Sequence, residues 1–513
     1  MHSGIGTFRL LNSTGLPIPL STWAEVETPT MTNREKCINS ALLTDLYELT
    51  MMQGYLQYDM NPRVVFDMFF RKQPFDGGFS IFAGLQDLLT ALHDFRFSAE
   101  DLEYLNSLGL FQPWFLDYLA NFAFSGDIYA VPEGTVVFPE EPLVRVHATL
   151  VEAQLIESML LNTLNFQSLI ATKAARVFVA SNYGKVLEFG LRRAQGRDGA
   201  LSAARAAFIG GATATSNTLA GRLYGIPVAG TMAHSWIMAF GNEEDAFRKF
   251  AELYPDNAIL LIDTYDTLGS GLDGAIEIGR AMRARGKRIG VRLDSGDIQY
   301  LSRQVRLRLD EAGLHDATIS VSNELTEEIV HQLVAARCPI DAWGVGTNLV
   351  TGGRTSSFTG VYKLAAKKNG GDYEPTMKVS DNPEKMTNPG VKQVHRFVDE
   401  HGAPLADLIA FADEEFEPGN RYTFFHPTTD YRKFTLKHFA KAMPMLQPYM
   451  RDGEIVGHLP DLAHIQRHTR EGLQGLDETF TRILNPHIYK VSLSERLKTM
   501  KFDMVRSYAS REL

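Results

Sequence analysis

The sequence has little cysteine, no long apolar run and no excess of basic residues. Two cysteines in 513 residues cannot form a disulfide framework and are typical of a reducing compartment. No stretch approaches the roughly 18 to 20 apolar residues that cross a bilayer. The 51 Lys and Arg against 61 Asp and Glu leave a net charge of -10, which disfavours nucleic acid as a partner. These absences predict a cytoplasmic protein with neither a membrane nor a nucleic-acid partner.

What is present is the composition of an ordinary folded chain. Hydrophobic residues make up 44% and charged residues 22% of the sequence, and the length predicts two or three domains. The first thirty residues carry three prolines among Ser, Thr and Gly, without the basic start and apolar block of a secretory signal. We interpret residues 1–36 as a flexible extension.

A repeated pattern of strand-sized apolar runs and amphipathic stretches begins near residue 186, at spacings of roughly 25 to 40 residues, as in βα units. One covering helix is predicted at Glu327 to Ala336, with Ile329, Val330 and Leu333 on its buried face. The predicted strands are Lys185 to Phe189, Ile226 to Gly230, Ala258 to Asp263, Arg288 to Leu293, Thr318 to Val321 and Ala342 to Val345. Six such units in a row predict an α/β barrel.

The remaining sequence divides into a part before the barrel and a part after it. Upstream, helical patterns surround a strand-like patch at Val64 to Phe70, and short β segments with Pro and Gly turns follow at Ile128 to Val146. The predicted domains are a mixed N-terminal domain at 37–165, the barrel at 166–365, and a C-terminal segment at 366–513 that packs back on the N-terminal domain.

Barrel active sites form at the carboxyl ends of the strands, and the strand ending in Arg292 and Asp294 carries suitable chemistry. An Arg there can hold a phosphate with its planar fork, while a neighbouring Asp can meet ribose hydroxyls or a phosphate-bound Mg²⁺. The pattern favours a phosphorylated sugar. A structural Arg–Asp pair that closes the strand is the alternative.

Two further strand ends add candidate groups for phosphate chemistry. Gly346 and Thr347 lie in a Gly-rich turn whose backbone N–H groups could hold a phosphate. Thr231 and His234 follow another predicted strand, where an imidazole can act as a nucleophile towards phosphoryl groups. An ordinary structural turn and a structurally satisfied histidine are the alternative interpretations.

A flat anionic ring could bind where Phe189 precedes Arg192 and Arg193, through stacking and charge-assisted hydrogen bonds. The alternative is a core phenylalanine with two solvated arginines. Asp263 opens an acidic turn after the apolar strand that begins at Ala258. Such turns hold ribose hydroxyls in the common type of phosphoribosyltransferase, but here the acids are not adjacent.

Seven ordered motifs resemble those of the nicotinate phosphoribosyltransferase family, from about Ala41 to the carboxyl end. They are LTDLYELTM at 43–51, FFRK at 69–72 with Pro74-Phe75, EFGLRRAQG at 188–196, PVAGTMAHS at 227–235, the Asp263 to Thr267 turn, VRLDSGD at 291–297 and GVGT at 344–347. The resemblance implies an irregular TIM-like α/β barrel of the type II phosphoribosyltransferases, with a second mixed α+β domain built from both chain ends.

The resemblance also implies a function in NAD salvage. The enzyme would make nicotinate mononucleotide and pyrophosphate from nicotinate and phosphoribosyl pyrophosphate, with Mg²⁺ and coupled ATP hydrolysis, as a homodimer with shared active sites. His234 would be phosphorylated transiently by ATP, Tyr47 would reach the nicotinate ring, and Phe189 would stack on it. Positions matching substrate contacts are Thr231, Arg292, Gly346 and Thr347; Asp263 and Asp294 are assigned to ribose and Mg²⁺, and Arg192 is a candidate for the substrate carboxylate.

Two other functions remain open at this point. A nicotinamide phosphoribosyltransferase of the same superfamily would carry an acidic residue near the ring, whereas Ala203 to Leu223 contains no Asp or Glu and two Arg. A catalytically silent sugar-phosphate binder could keep the barrel, but it need not keep His234, Arg292 and Asp294.

Overall fold

The computed structural model describes residues 41–380, 385–429 and 431–509. The extension predicted at residues 1–36 lies outside them. The helices are α1 Leu46–Gln57, α2 Leu85–His93, α3 Ala99–Ser107, α4 Pro113–Ala120, α5 Leu150–Leu155, α6 Glu157–Ala180, α7 Gly196–Ile209, α8 Thr218–Tyr224, α9 His234–Phe240, α10 Glu243–Leu253, α11 Leu272–Ala284, α12 Ile298–Glu311, α13 Glu327–Ala335, α14 Thr347–Val350, α15 Leu462–Gln474, α16 Glu478–Thr481 and α17 Glu495–Ala509. In the described part of the chain, no helix combines the length and apolarity that a bilayer crossing requires.

The strands belong to three large sheets and one small one. They are β1 Arg63–Phe70, β2 Ser80–Ile81, β3 Asp127–Ala130, β4 Val136–Val137, β5 Val144–Thr149, β6 Lys185–Glu188, β7 Ala214–Thr215, β8 Ile259–Leu261, β9 Gly290–Leu293, β10 Thr318–Val321, β11 Ala342–Val345, β12 Gly360–Asn369, β13 Asp372–Pro375, β14 Lys392–Val398, β15 Pro404–Phe411, β16 Tyr422–Phe425, β17 Lys433–Leu436, β18 Lys441–Pro444, β19 Gln447–Arg451, β20 Glu454–Ile455 and β21 Val491–Leu493.

The six-stranded parallel sheet carries the predicted strand ends, in the order β7-β6-β11-β10-β9-β8. Every pairing in it is parallel, so its strands end at one common edge. Five of the six predicted strands are confirmed as β6, β8, β9, β10 and β11, with bounds that differ by up to two residues. Their side chains form the largest core cluster together with α6, α10, α11 and α12.

The predicted strand at Ile226 to Gly230 is wrong. This segment makes only an isolated bridge, between Thr215 and Val228, so it lies beside the short β7 without forming a strand of its own. Thr215 donates from its backbone N–H to the carbonyl of Pro227 at 3.0 Å and accepts from Ala229 at 2.9 Å. Pro227 has no backbone N–H and therefore cannot extend the ladder.

The parallel sheet is not closed by backbone hydrogen bonds among the described residues, since β7 and β8 are its edges. A side-chain hydrogen bond spans the space between these two edges instead. Asn257, just before β8, donates from Nδ2 to the carbonyl of Gly230 at 3.3 Å. The structure thus shows six parallel strands without a continuous ladder around them, and the closed barrel stays a prediction.

Strands from both ends of the chain share the seven-stranded sheet, in the order β13-β12-β1-β5-β3-β19-β20. The strand predicted at Val64 to Phe70 is confirmed as β1, which pairs antiparallel with β12 and β5. A further six-stranded sheet runs β17-β16-β21-β15-β14-β18. The residue bounds of the three predicted domains stay a prediction.

The buried face of α13 differs from the predicted one by one position. Val330 and Leu333 are buried, but Ile329 is 41% exposed. Glu327 takes its place on the buried face, because positions three apart share a helix face. A carboxylate therefore enters the core beside the parallel sheet.

Candidate active site

Two acidic turns meet where β8 and β9 end. Arg292 lies beside Leu261 in the parallel register, and the turns that follow carry Asp263 and Asp294. The Asp263 carboxylate accepts from the backbone N–H of Asp294 at 2.8 Å and from the Ser295 hydroxyl at 2.6 Å, both through Oδ2. These bonds fix the two carboxylates side by side at the edge of the sheet.

Arg292, on β9, connects these two turns to residues 231–232. Its Nη1 donates to the Thr231 hydroxyl at 2.7 Å and to the carbonyl of Met232 at 3.2 Å, and its Nη2 is 3.7 Å from Asp294 Oδ1. The buried Nε has no hydrogen-bond partner among the described residues. Burial lowers the pKa of Arg292, and the nearby charge of Arg192 acts in the same direction. The guanidinium therefore keeps an N–H donor without a partner, and its charge is only partly balanced by Asp294 at 3.7 Å.

His234, the first residue of α9, faces the same carboxylate. Its Nδ1 is 3.1 Å from the Thr264 hydroxyl, and its Nε2 is 3.8 Å from Asp294 Oδ2, with the ring 41% exposed. Since Thr264 contacts Nδ1, Nε2 faces the space beside Asp294 and remains available to a ligand. His234 and Arg292 thus both lie beside the Asp294 carboxylate.

Thr264 and Ser322 are site residues that the sequence interpretation did not single out. Ser322, which follows β10, donates its hydroxyl to Asp294 Oδ1. The side chain of the neighbouring Asn323 accepts instead from the backbone N–H of Glu324. Because Ser and Thr are frequent in turns, nothing in their type marked them; only the fold brings Ser322 to Asp294 and Thr264 to His234.

An aromatic wall lies beside the cluster, at the ends of β6 and β11. The ring of Phe189 packs against Gly344 so closely that a Cβ there would lie 2.7 Å from the ring, and a Cβ on Gly346 would lie 3.1 Å from the Phe189 carbonyl. The buried carboxylate of Glu188 accepts from Thr215 and from the backbone of Gly190. Phe189 is thereby held half-buried, with one face against glycine backbone.

Arg192 and Thr347 occupy the rim of the same sheet edge. Arg192 is exposed on the turn after β6, near enough to Arg292 to affect its pKa. Thr347 begins α14 directly after Gly346, and its carbonyl accepts from the Thr351 hydroxyl at 2.7 Å. The predicted residues at the ends of four strands, β6, β8, β9 and β11, therefore gather at one edge with Thr231 and His234.

Tyr47 is the predicted site residue that the chain does not bring to this edge. It lines a separate cavity of about 540 Å³ with Asp45, Glu157 and Ser158, and it is 48% exposed. Burial, with the charges of Glu157, Glu48 and Asp45, raises the pKa of Tyr47 to about 12, so its phenol is neutral near pH 7. None of the described contacts joins Tyr47 to His234 or Arg292 within one chain.

The oxygen donors at this edge fit Mg²⁺ as a substrate-borne ion. Asp263 Oδ1 is buried without a hydrogen-bond partner in the described chain, and Asp294 Oδ2 has His234 at 3.8 Å. No group of three or more His, Cys, Asp or Glu able to hold a metal occurs among the described residues. One or two carboxylates completed by phosphate oxygens and water are the usual Mg²⁺ ligands.

Family models match the chain along nearly all of its described length. They are the nicotinate phosphoribosyltransferase N-terminal domain at residues 42–165, the nicotinate phosphoribosyltransferase family at 184–401, and the nicotinate phosphoribosyltransferase C-terminal domain at 391–501. The nicotinate phosphoribosyltransferase of Bacillus subtilis is 41% identical over 474 residues, covering 92% of this chain and 96% of the relative. That of mouse is 33% identical, covering 90% and 95%.

Solved structures show the same likeness. Human nicotinic acid phosphoribosyltransferase superposes with a TM-score of 0.78 at 30% identity, covering 90% of this chain and 99% of the human chain. A nicotinate-nucleotide pyrophosphorylase from Pyrococcus furiosus has a TM-score of 0.66 at 23% identity and shares the fold.

Proposed function

The chain belongs to the nicotinate phosphoribosyltransferase family, and we propose that the edge around Arg292, Asp294 and His234 is where it joins nicotinate to phosphoribosyl pyrophosphate. The reaction forms nicotinate mononucleotide and pyrophosphate in NAD salvage. The observation that carries the assignment is the convergence of a guanidinium and an imidazole on one carboxylate, at 3.7 and 3.8 Å. A phosphorylated sugar needs such a mixture of cation and ribose acceptor.

The chemistry requires charge stabilisation more than proton transfer. The pyridine nitrogen attacks C1′ with its lone pair while the bond to pyrophosphate breaks, so negative charge grows on the leaving group and positive charge on the ribose. The spare donors of Arg292 and the backbone N–H groups at Gly346 and Thr347 would bind phosphate oxygens. Asp263 and Asp294 would face the ribose and the bound Mg²⁺. When bound, Mg²⁺ supplies charge neutralisation on the pyrophosphate.

The nicotinate ring would lie against Phe189, with Arg192 as the candidate for its carboxylate. Tyr47 belongs to the same subsite in our proposal, contributed by the second subunit of a homodimer with shared active sites. Its separation from Arg292 within one chain and its half-exposed position at a cavity support this arrangement. The neutral phenol would contact the ring without repelling the substrate anion.

ATP would act through His234. In this step Nε2 attacks the γ-phosphorus, the bond to the β-phosphate oxygen breaks, and ADP leaves; water later releases phosphate from the imidazole. Thr264, at 3.1 Å from Nδ1, would keep the ring turned so that Nε2 faces the site. The phosphorylated imidazole would couple ATP energy to substrate binding and product release.

We also propose that the open edges of the parallel sheet face each other as an irregular barrel, with residues 226–234 in the gap between β7 and β8. The contact of Asn257 with Gly230 supports this arrangement. A cytoplasmic location is proposed on the low cysteine content, and cell fractionation would test it.

The decisive experiment measures pyrophosphate from purified protein with phosphoribosyl pyrophosphate and Mg²⁺, with nicotinate or nicotinamide, and with or without ATP. We expect release with nicotinate, faster when ATP is present. Release with nicotinamide alone would reassign the substrate, and no release with either base would support a silent sugar-phosphate binder. Equal rates with and without ATP would show that ATP hydrolysis is not coupled to the transfer.

A further inference from the structure

A buried ion triad joins the long helix α6 to the start of α13. Glu327 at the start of α13 accepts from Lys173 Nζ at 2.5 Å and from Arg176 Nε at 2.8 Å, and its side chain is 1% exposed. Both cations project from the long helix α6. Burial alone would raise the pKa of Glu327, but Lys173 and Arg176 outweigh it and hold that pKa below its ordinary value.

The triad is braced on its other sides. Lys173 Nζ lies 4.7 Å from the centre of the Phe75 ring, which adds a cation–π contact to its ion pair with Glu327. Arg176 Nη2 donates to the carbonyl of Ile483 at 3.2 Å. Phe75 belongs to the Pro74-Phe75 motif, to which the proposed reaction gives no role. Segments far apart in the sequence therefore meet at Glu327.

Glu327 anchors the turn at residues 322–326, which leads from β10 into α13. At one end of this turn Ser322 donates to Asp294. Near its other end the carbonyl of Leu325 accepts from Asn348 Nδ2 at 3.3 Å, and Asn348 follows Thr347 on α14. The turn thus touches both the ribose carboxylate and the phosphate loop of the proposed site.

The turn also contains a residue with left-handed backbone. Asn323 has φ +85°, a conformation uncommon outside glycine, although asparagine adopts it more readily than most residues. Such a conformation persists only where the surroundings determine it strongly. The ion triad on one side and the bonds to Asp294 and Asn348 on the other provide that determination.

We propose that Glu327 is a positioning residue for phosphoribosyl pyrophosphate: its ion pairs with Lys173 and Arg176 hold the 322–326 turn, and through Ser322 they orient Asp294. This inference rests on the proposed function for the identity of the ligand. It predicts that removing the Glu327 charge weakens sugar-phosphate binding without touching the nicotinate subsite.

The test compares Glu327→Gln, Ser322→Ala and the double variant by steady-state kinetics and by calorimetric binding of phosphoribosyl pyrophosphate with Mg²⁺. We expect Glu327→Gln to raise the KM for this substrate by roughly 2- to 30-fold and to leave the KM for nicotinate within about twofold. If the effect passes through Ser322, the two substitutions will add to less than the sum of their separate effects.

Asp407→Asn is the matched control. Asp407 forms an equally buried ion pair with Arg396 at 2.6 Å, in the sheet of β14 and β15 away from the site. We expect both carboxylate-to-amide variants to lower the unfolding temperature, but only Glu327→Gln to change the KM for phosphoribosyl pyrophosphate. If Glu327→Gln cannot be isolated folded, Lys173→Met keeps the Arg176 pair and should produce a smaller rise in the same KM.

An unchanged sugar-phosphate KM and affinity in a folded Glu327→Gln protein, or additive effects with Ser322→Ala, would overturn the inference. The calorimetric measurement separates this result from failure of the proposed function. An inactive wild-type protein that binds phosphoribosyl pyrophosphate still reports whether Glu327 positions the turn.

Discussion

Replacing Arg292 by alanine should remove most of the sugar-phosphate affinity while leaving the protein folded. In the free site Arg292 makes two hydrogen bonds, to Thr231 and Met232, and a loose ion pair with Asp294. Because the donor is a charged guanidinium, each of these hydrogen bonds contributes roughly 1.5 to 3 kcal/mol to stability. Since burial lowers the pKa of Arg292, this gain is partly offset by the desolvation of its charge. We expect the free energy of unfolding to fall by about 1 to 4 kcal/mol.

The binding loss should be larger, because a phosphate would use the donors that the free protein leaves unsatisfied. Truncating one partner of a buried, hydrogen-bonded charge pair costs roughly 2 to 5 kcal/mol, which corresponds to a loss of about 30-fold to several thousandfold in Kd. Arg292→Lys keeps the charge but loses the planar fork, so its affinity should fall between those of wild type and Arg292→Ala.

Isothermal titration with phosphoribosyl pyrophosphate and Mg²⁺ measures the affinity, and thermal unfolding of the same preparations measures the stability. A Kd for folded Arg292→Ala within about threefold of wild type would refute the assignment, since the structure predicts at least about 30-fold. Full affinity in Arg292→Lys would show that charge alone matters and that the fork geometry does not.

Three further outcomes follow from other parts of the molecule. His234→Ala should abolish acid-labile labelling by γ-labelled ATP while slow transfer persists, whereas replacing the exposed His315 should leave the label intact; labelled His234→Ala protein would exclude this role. Tyr47→Ala should raise chiefly the KM for nicotinate, by about tenfold if a ring contact of about 1.4 kcal/mol is lost; a change confined to the sugar substrate would contradict the ring contact. Burial raises the pKa of Glu48 to about 7, so the folded protein holds this proton where the unfolded chain has released it, and stability should fall as pH rises from about 4.5 to 7. Glu48→Gln should flatten that part of the stability profile, and an unaltered profile would show that another group is responsible.

The strand ends were predictable because apolar β-branched runs have a clear length and end in charged turns. Thr318–Val321 and Ala342–Val345 match their predicted bounds. The run at Ile226 to Gly230 has the same apolar character, but Pro227 interrupts its hydrogen bonding, so that it makes only one bridge to the two-residue strand at Ala214–Thr215. Composition alone does not distinguish such a run from a strand, since the outcome depends on which backbone N–H groups are available to the neighbouring strand.

The site itself was predictable only as far as residue type carries chemistry. Arg292, Asp294 and His234 stood out because charged or nucleophilic groups at strand ends are informative without knowledge of their neighbours. Ser322 and Thr264 became visible only through the register that brings their hydroxyls to Asp294 and to His234. Residues that orient the candidate catalytic groups are therefore harder to find from sequence than the candidate groups themselves.

The burial of Glu327 could not be predicted from the sequence either. On sequence alone, the neighbouring Ile329 is the better candidate for the core, yet it is exposed while the carboxylate is buried. Burying a charge is costly unless it is paired, and the chain supplies two cations and an aromatic ring for this one carboxylate. Well-packed apolar residues often stabilise such a position equally well, so stability alone does not account for the triad. In our proposal its bonds instead fix where one turn stands relative to Asp294, as the binding of phosphoribosyl pyrophosphate would require.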